Sequence, residues 1–182
     1  MRAEQIVVLS STRQALFLCA QLLVDAGKPI LLENPGYFGA RKAFEFAEAR
    51  VVPVDVDAQG IRTDLLRADR SGAACVYVTP SHQYPTGATL SLERRLELTR
   101  WAAEGGRWII EDDYDSEFHY DGLPTACVQG WTSTAARSTW ARSARPCTPA
   151  CGWATWPCRK NWCRLSPARA ALSMAIRRRS CS

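Results

Sequence analysis

The sequence predicts an α/β protein built on a mainly parallel sheet, and two observations support this fold class. Five short runs of β-branched and apolar residues alternate with segments whose apolar residues recur at helical spacing, as in βαβ units. Polar stretches follow four of these runs, and several of them are rich in glycine or proline: LSSTR, ENPGY, TPSHQYPTG and EDDYD. Because parallel strands end at one edge of a sheet, these stretches are expected to meet where ligands of such folds bind.

The predicted elements alternate along the first 112 residues. The predicted strands are residues 4–10, 28–34, 50–57, 74–80 and 107–112. The predicted helices are residues 12–27, 38–49, 63–70 and 91–106. The first helix is supported by four apolar residues at helical spacing and is expected to end at Gly27; the four are Leu16, Ala20, Leu23 and Val24. Ser91 is a suitable N-cap for the last helix.

The charge pattern divides the chain at about Gly130. Residues 1–130 contain 13 Lys and Arg and all 18 acidic residues, whereas residues 131–182 contain 10 basic residues and no acid. The second segment also holds five of the eight cysteines and five of the seven tryptophans. We therefore predict an α/β domain over 1–130 and an irregular basic tail over 131–182.

Composition also bears on the cellular compartment. No apolar run approaches the roughly 20 residues of a membrane span, and the start MRAEQIVVLSS lacks the zones of a signal peptide. A cytoplasmic location is therefore expected, with no membrane partner and with the cysteines as free thiols.

Polar residues at the predicted strand ends are candidate ligand contacts, and each has an ordinary structural alternative. The hydroxyls of Ser11 and Thr12 begin a helix, where backbone N–H groups and the helix dipole favour an anion. Simple helix capping explains them equally. Tyr37 follows a Pro-Gly turn, where its ring can stack on a planar ligand or pack over the next helix.

Asp112 and Tyr114 follow the last predicted strand. Residues two apart on an extended chain share a face, so a carboxylate and a phenol can approach one ligand from the same side. A buried carboxylate requires a cationic partner, and a protonated heteroaromatic nitrogen is suitable. The alternative is a solvated acidic turn.

Taken together, four segments resemble the aminotransferase-like domain of MocR-type regulators: LSSTRQAL, ENPGYFGARKAF, VTPSHQYPTGATLSLERRLELTRWA and WIIEDDYDSEFHYDG. In these GntR-superfamily proteins a winged-helix DNA-binding domain precedes a fold-type I domain that binds pyridoxal 5′-phosphate (PLP). The resemblance covers about residues 4–130 and implies part of the large domain of that fold. It further implies an amino acid or amine effector, a homodimer, and DNA binding only through the winged-helix domain.

The resemblance implies a PLP site of five residues. Asp112 would pair with the pyridinium nitrogen and keep it protonated, so that the ring can accept electrons. Tyr114 would hydrogen-bond the 3′ oxygen, and Tyr37 would stack on the ring. Ser11 and Thr12 would help to hold the phosphate.

The phosphate loop departs from the usual family pattern, and Tyr84 departs from the pattern of ordinary aminotransferases. The phosphate loop usually contains Ser-Gly-Ala-Gln, whereas here it is Ser10-Ser11-Thr12-Arg13. Tyr84 stands where ordinary aminotransferases have an asparagine before Pro-Thr-Gly, and MocR-type proteins commonly have an aromatic residue there.

The family pattern ends after Gly130, before the Schiff-base lysine. The three lysines are Lys28, Lys42 and Lys160, and none lies in a Ser-Lys-Thr context. A shifted reading frame over residues 140–155 is compatible with the string GTFSKTLYPGLRLGY, which has the form of the missing lysine motif. We therefore predict that the tail is out of frame and that the domain lacks transaminase activity.

Three alternatives remain open from the sequence. The first is an active PLP-dependent aminotransferase, which requires a lysine for the cofactor. The second is nucleic-acid binding through the tail, whose basic residues and tryptophans suit phosphates and bases. The third is a zinc site in the tail, but the spacing of its cysteines is unlike that of common fingers, so no metal is expected.

Overall fold

A computed structural model describes residues 6–9, 11–114, 128, 137–143 and 153–155. Its strands are β1 (Ile6–Val8), β2 (Pro29–Asn34), β3 (Arg50–Asp57), β4 (Gly60–Ile61), β5 (Cys75–Val78), β6 (Trp108–Glu111), β7 (Arg137–Ser143) and β8 (Trp153–Thr155). Its helices are α1 (Thr12–Leu23), α2 (Phe38–Phe46), α3 (Thr63–Ala68) and α4 (Leu92–Gly105).

Within the described residues the strands form one sheet in the order β1-β8-β7-β6-β5-β2-β3-β4. The central pairs β3/β2, β2/β5, β5/β6 and β6/β7 are parallel, whereas β1, β4 and β8 pair antiparallel with their neighbours. The predicted α/β class with a mainly parallel sheet is confirmed.

Side chains of the central strands alternate between two apolar layers, as the pleat requires. One layer joins α1 and α2 to the sheet and includes Leu16, Ala20, Phe44, Ile30, Leu32, Tyr77 and Ile110. The other joins α3 and α4 to the opposite face and includes Leu66, Leu98, Leu31, Val76, Val78 and Ile109. Both faces of the sheet are therefore covered, which explains why β5 is buried along its whole length.

Two local features differ from the sequence prediction. Helix α1 ends at Leu23, four residues before Gly27, because Val24 is extended and its side chain is buried in the core. Gly27 adopts a positive φ in the turn that precedes β2, and its N–H donates to the carbonyl of Glu48. The glycine therefore belongs to the turn and not to a helix cap.

The short strand β4 was not predicted. It pairs with the end of β3 after a tight turn at residues 58–59. Gly60 has a φ of 89°, and a Cβ at this position would lie 2.9 Å from Cδ1 of Leu90. A glycine is required here by both the backbone angle and the close approach.

Two strands lie within the segment predicted to be an irregular tail. Strand β7 pairs with β6 and β8 pairs with β7, so both extend the sheet beyond the edge of β6. Pairing satisfies the backbone groups that β6 would otherwise expose at its edge. The other residues of 131–182 lie outside the described residues, and they include the four cysteines of the zinc alternative, Cys147, Cys151, Cys158 and Cys163.

In the described part of the chain, no helix is long and apolar enough to cross a membrane.

Candidate functional site

Three neighbouring parallel strands, β2, β5 and β6, end at the same edge of the sheet. Their register pairs Leu32 with Tyr77 and Tyr77 with Ile110. The segments that follow are the ones singled out in the sequence: ENPGY, TPSHQYPTG and EDDY. The predicted meeting of these segments at one edge is therefore a consequence of the strand order and register.

Asp112 is buried directly after β6, with 2% of its surface exposed. Its backbone N–H donates to the carbonyl of Val78 at 2.9 Å, which extends the ladder between β5 and β6 by one residue. Its Oδ2 accepts a hydrogen bond of 2.7 Å from the hydroxyl of Tyr77. The sequence left open a solvated turn, but this carboxylate lies inside the protein.

The Tyr77 hydroxyl is a donor to this carboxylate and not an acceptor. Burial of the side chain, followed by the charge of Asp112 and the hydrogen bond to it, raises the pKa of Tyr77 well above its ordinary value. A phenol that stays protonated stabilises the anionic form of its carboxylate partner.

A second carboxyl group, Glu33, is buried at the end of β2. Its Oε2 accepts hydrogen bonds from the backbone N–H of Thr79 at 3.2 Å, the Thr79 hydroxyl at 2.6 Å and the Gln83 amide at 3.2 Å. Burial raises the pKa of Glu33 to about 7 against the opposing effect of these hydrogen bonds, and the nearby Asp112 carboxylate contributes to the rise.

Gln83 connects the two loops that carry the aromatic residues of the site. Its amide nitrogen lies 2.8 Å from the carbonyl of Pro35 and 2.7 Å from that of Tyr84. Its amide oxygen accepts from the N–H and the hydroxyl of Thr86. With Glu33 these contacts hold the loop after β2 against the loop after β5.

Three tyrosine rings lie in a row at this edge. The rings of Tyr37 and Tyr84 meet edge to face at 5.7 Å between centroids, and those of Tyr84 and Tyr114 meet at 6.4 Å. A Cβ at Gly39 would come within 2.6 Å of three atoms of Tyr37, so the tyrosine ring occupies the space that the glycine leaves. The position of the Tyr37 ring therefore depends on Gly39.

Ser11 and Thr12 lie at the N-terminus of α1. Ser11 is the N-cap, and its hydroxyl accepts from the backbone N–H of Gln14 at 3.2 Å. Thr12 is the first helical residue and is half-buried. The capping alternative from the sequence is thus present in the structure. Further along this helix Cys19 is buried, and burial together with the charge of Asp112 raises the pKa of its thiol.

The structure places three of the five predicted residues in two groups, while Ser11 and Thr12 lie separately at the start of α1. Tyr37 and Tyr114 belong to the tyrosine row, and Asp112 belongs to the buried carboxyl groups. Tyr77, Glu33 and Gln83 were missed by the sequence reasoning. A sequence signal exists for Tyr77, because it is the single tyrosine in the apolar strand CVYV. Its side chain lies on the same face of the strand as the residue two positions later, just beyond the strand end.

Helices cover both faces of this sheet, a buried aspartate follows one strand and an aromatic ring follows another. The sheet forms part of the large domain of fold-type I PLP-dependent transferases. The chain belongs to the aminotransferase class I and II family, whose model matches residues 1–140.

Similar proteins include both regulators and enzymes. The chain is 42% identical to the uncharacterized HTH-type transcriptional regulator YdeL of Bacillus subtilis, over 60% of this chain and 27% of that protein. It is 39% identical to the probable rhizopine catabolism regulatory protein MocR of Rhizobium meliloti, over 70% of this chain and 25% of that protein. The solved multiple substrate aminotransferase of Thermococcus profundus has a TM-score of 0.74 and 29% identity, over 84% of this chain and 40% of that chain.

These relatives confirm the resemblance to the aminotransferase-like domain of MocR-type regulators. The chain spans about a quarter of the length of the curated regulators it matches.

The residues at the strand ends have the chemistry that PLP requires. A buried anionic carboxylate suits a protonated pyridine nitrogen, because a charge at this depth needs an ionic or hydrogen-bonded partner. The ring of Tyr37, placed by Gly39, offers an aromatic surface to a planar molecule. The Asp112 carboxylate and the Tyr37 ring therefore fit PLP, the cofactor of this family.

Proposed function

We propose that this chain is the ligand-sensing, aminotransferase-like domain of a MocR-type transcription regulator, and that it binds PLP without covalent attachment. The observation that carries the proposal is the burial of Asp112 at the carboxyl edge, with one oxygen held by the Tyr77 hydroxyl. A protonated pyridine nitrogen beside this buried carboxylate would stabilise its anionic form, which is why the position suits PLP.

Each predicted residue has a distinct task in this proposal. Asp112 accepts a hydrogen bond from the protonated pyridine nitrogen, Tyr37 covers one face of the ring, and Tyr114 donates a hydrogen bond to the 3′ oxygen. Ser11 and Thr12 offer hydroxyls and helix N–H groups to the phosphate. PLP, when bound, supplies a ring that withdraws electrons from an attached substrate.

The two lysines in the described residues support binding without a covalent bond. Lys28 is exposed before the amino end of β2, which is the edge opposite to Asp112. Lys42 is exposed on α2, where its Nζ pairs with Glu45 at 2.8 Å. Neither of these two side chains lies at the carboxyl edge, and Lys160 lies outside the described residues. This position supports our proposal that the domain binds PLP without a covalent bond and lacks transaminase activity.

Absorbance of the purified chain with added PLP, before and after borohydride reduction, tests this proposal. We expect a PLP spectrum that saturates with concentration and that dialysis removes after reduction, because no bond to the protein is formed. A chain whose mass increases by one reduced PLP would contradict non-covalent binding. A chain that shows no saturable change would contradict PLP binding itself.

A second candidate is an active aminotransferase, and similarity to enzymes favours it. The chain is 31% identical to aromatic-amino-acid aminotransferase 1 of Thermococcus litoralis, over 69% of this chain and 32% of that protein. This candidate requires a lysine that bonds PLP, and it therefore predicts the mass increase described above.

We expect Ser11→Ala to lower both stability and PLP affinity. The lost cap of α1 costs about 1 kcal/mol of unfolding free energy, and the lost hydroxyl removes a phosphate contact. Ser91→Ala is the matched control, since Ser91 caps α4 through the N–H of Arg94. Thermal unfolding and PLP titration of both variants separate the two effects, and equal PLP affinities would show that Ser11 only caps its helix.

We further propose that residues from about Gly130 are encoded out of frame. The segment 131–182 lacks acids and is rich in tryptophan and cysteine, and its codons are compatible with GTFSKTLYPGLRLGY over residues 140–155. Sequencing of the gene tests this directly. A family-like continuation after one inserted or deleted base pair supports the proposal, and its absence in every frame would refute it.

A further inference from the structure

We propose that Tyr77 is a positioning residue that fixes the orientation of the Asp112 carboxylate toward its ligand, an inference that rests on the PLP site proposed above. Tyr77 lies on β5, between β2 and β6, and only 1% of its surface is exposed. Its hydroxyl is 2.7 Å from Oδ2 of Asp112.

Hydrogen bonds hold both the main chain and the side chain of Asp112. Its main chain is fixed by the hydrogen bond from its N–H to the carbonyl of Val78. Its side chain ends in a torsion that is broad and weakly restrained in a free aspartate. The bond from Tyr77 to Oδ2 fixes the plane of the carboxylate, and it thereby sets the direction in which Oδ1 points.

Titratable side chains on the neighbouring elements interact with Asp112 and Tyr77. Glu33 approaches from β2 and Cys19 from α1, and burial first and the charge of Asp112 second raise the pKa of the Cys19 thiol. Burial first, and the Asp112 carboxylate among the smaller causes, raises the pKa of Glu33 to about 7. Burial is also the first cause of the raised pKa of Tyr77, followed by Asp112 and, with a smaller effect, Tyr37. The Tyr77 hydroxyl donates a hydrogen bond to the carboxylate and so favours its anionic form, whereas negative charge on Glu33 or Cys19 would disfavour it.

The first test measures the carboxyl group itself and does not depend on PLP. In the full chain with ¹³C-labelled aspartate, Tyr77→Phe keeps the ring in the core and removes only the donor. We expect the pKa of Asp112 to rise, since a hydrogen bond to the charged form is lost. An Asp112 titration that coincides with that of the wild-type chain would overturn the proposal.

Thr63→Val is a matched control for the loss of a buried hydroxyl. Thr63 is the buried first residue of α3, and its hydroxyl donates to the Glu97 carboxylate of α4. Both helices lie on the face of the sheet opposite to α1 and α2. We expect this variant to lose stability without moving the Asp112 titration. The reciprocal variant Asp112→Asn is expected to lower the pKa of Tyr77, and an unchanged tyrosine titration would contradict the pairing.

PLP titration against pH gives the functional consequence. We expect Tyr77→Phe to weaken PLP binding about tenfold at neutral pH, the effect of losing one hydrogen bond to a charged group. Because the pKa of Asp112 rises, the pH below which binding fails also moves upward. A wild-type chain without PLP affinity would contradict the proposed function, whereas a Tyr77→Phe profile identical to wild type would contradict the role of Tyr77.

Discussion

Replacement of Asp112 by asparagine is expected to lower PLP affinity by about 10- to 100-fold. The amide has the shape of the carboxylate, and its oxygen still accepts from the Tyr77 hydroxyl, so the fold is retained. It carries no charge, however, and a hydrogen bond to a charged group contributes about 1.5–3 kcal/mol, which corresponds to this loss in affinity. Equilibrium dialysis with absorbance detection at neutral pH measures the change.

Asp113→Asn is the matched control for this variant. Asp113 is the next residue along the chain, is half-buried, and belongs to the same acidic cluster. Because successive side chains of an extended segment point to opposite sides, Asp113 is not expected to face the pyridine nitrogen. Equal losses in the two variants would mean that the general negative potential, and not Asp112, determines binding.

The second large effect concerns stability and the buried carboxyl group of Glu33. Its pKa in the folded protein is about 7, above the ordinary value of 4.5, so the folded state binds a proton that the unfolded state has lost. Stability is therefore highest below about pH 4.5 for this group and falls as pH rises toward 7. The shift corresponds to roughly 3 kcal/mol.

Glu33→Gln is expected to remove this pH dependence. The amide oxygen can still accept from Thr79, while no charge forms in the core at high pH. Urea unfolding at several pH values from 5 to 8 should show a steeper loss of stability in the wild-type chain than in the variant. The exposed Glu104→Gln variant controls for the loss of one negative charge. Parallel pH profiles for wild type and Glu33→Gln would show that Glu33 does not titrate in this range.

Much of the fold is predictable because local patterns and the global arrangement agree. The β-branched run that becomes β3 and the alternation of strands with amphipathic helices lead directly to a parallel sheet covered on both faces. Two features depend on tertiary contacts that no local pattern contains. At the end of α1, Val24 is extended and buried in the core. Strand β4 pairs with the end of β3 at Gly60, where only a glycine fits against Leu90.

The candidate site shows a similar division. Asp112, Tyr114 and Tyr37 were identified because they follow strands and because the motifs around them resemble a known family. The contact between Tyr77 and Asp112 depends on the neighbouring positions of β5 and β6 and on the pairing of Tyr77 with Ile110. The role of Gln83 depends on two loops separated by about 50 residues in sequence. Such contacts require the strand order, which periodicity alone does not supply.

We propose above that the anionic Asp112 carboxylate pairs with the pyridine nitrogen of PLP and keeps it protonated. ¹⁵N NMR of the full chain with ¹⁵N-labelled PLP reports directly on the pyridine nitrogen. The measurement is made at a pH at which the pyridine nitrogen of free PLP is unprotonated. We expect a pyridinium signal in the wild-type chain and a neutral pyridine signal in Asp112→Asn. A bound cofactor whose nitrogen stays neutral in the wild-type chain would contradict it.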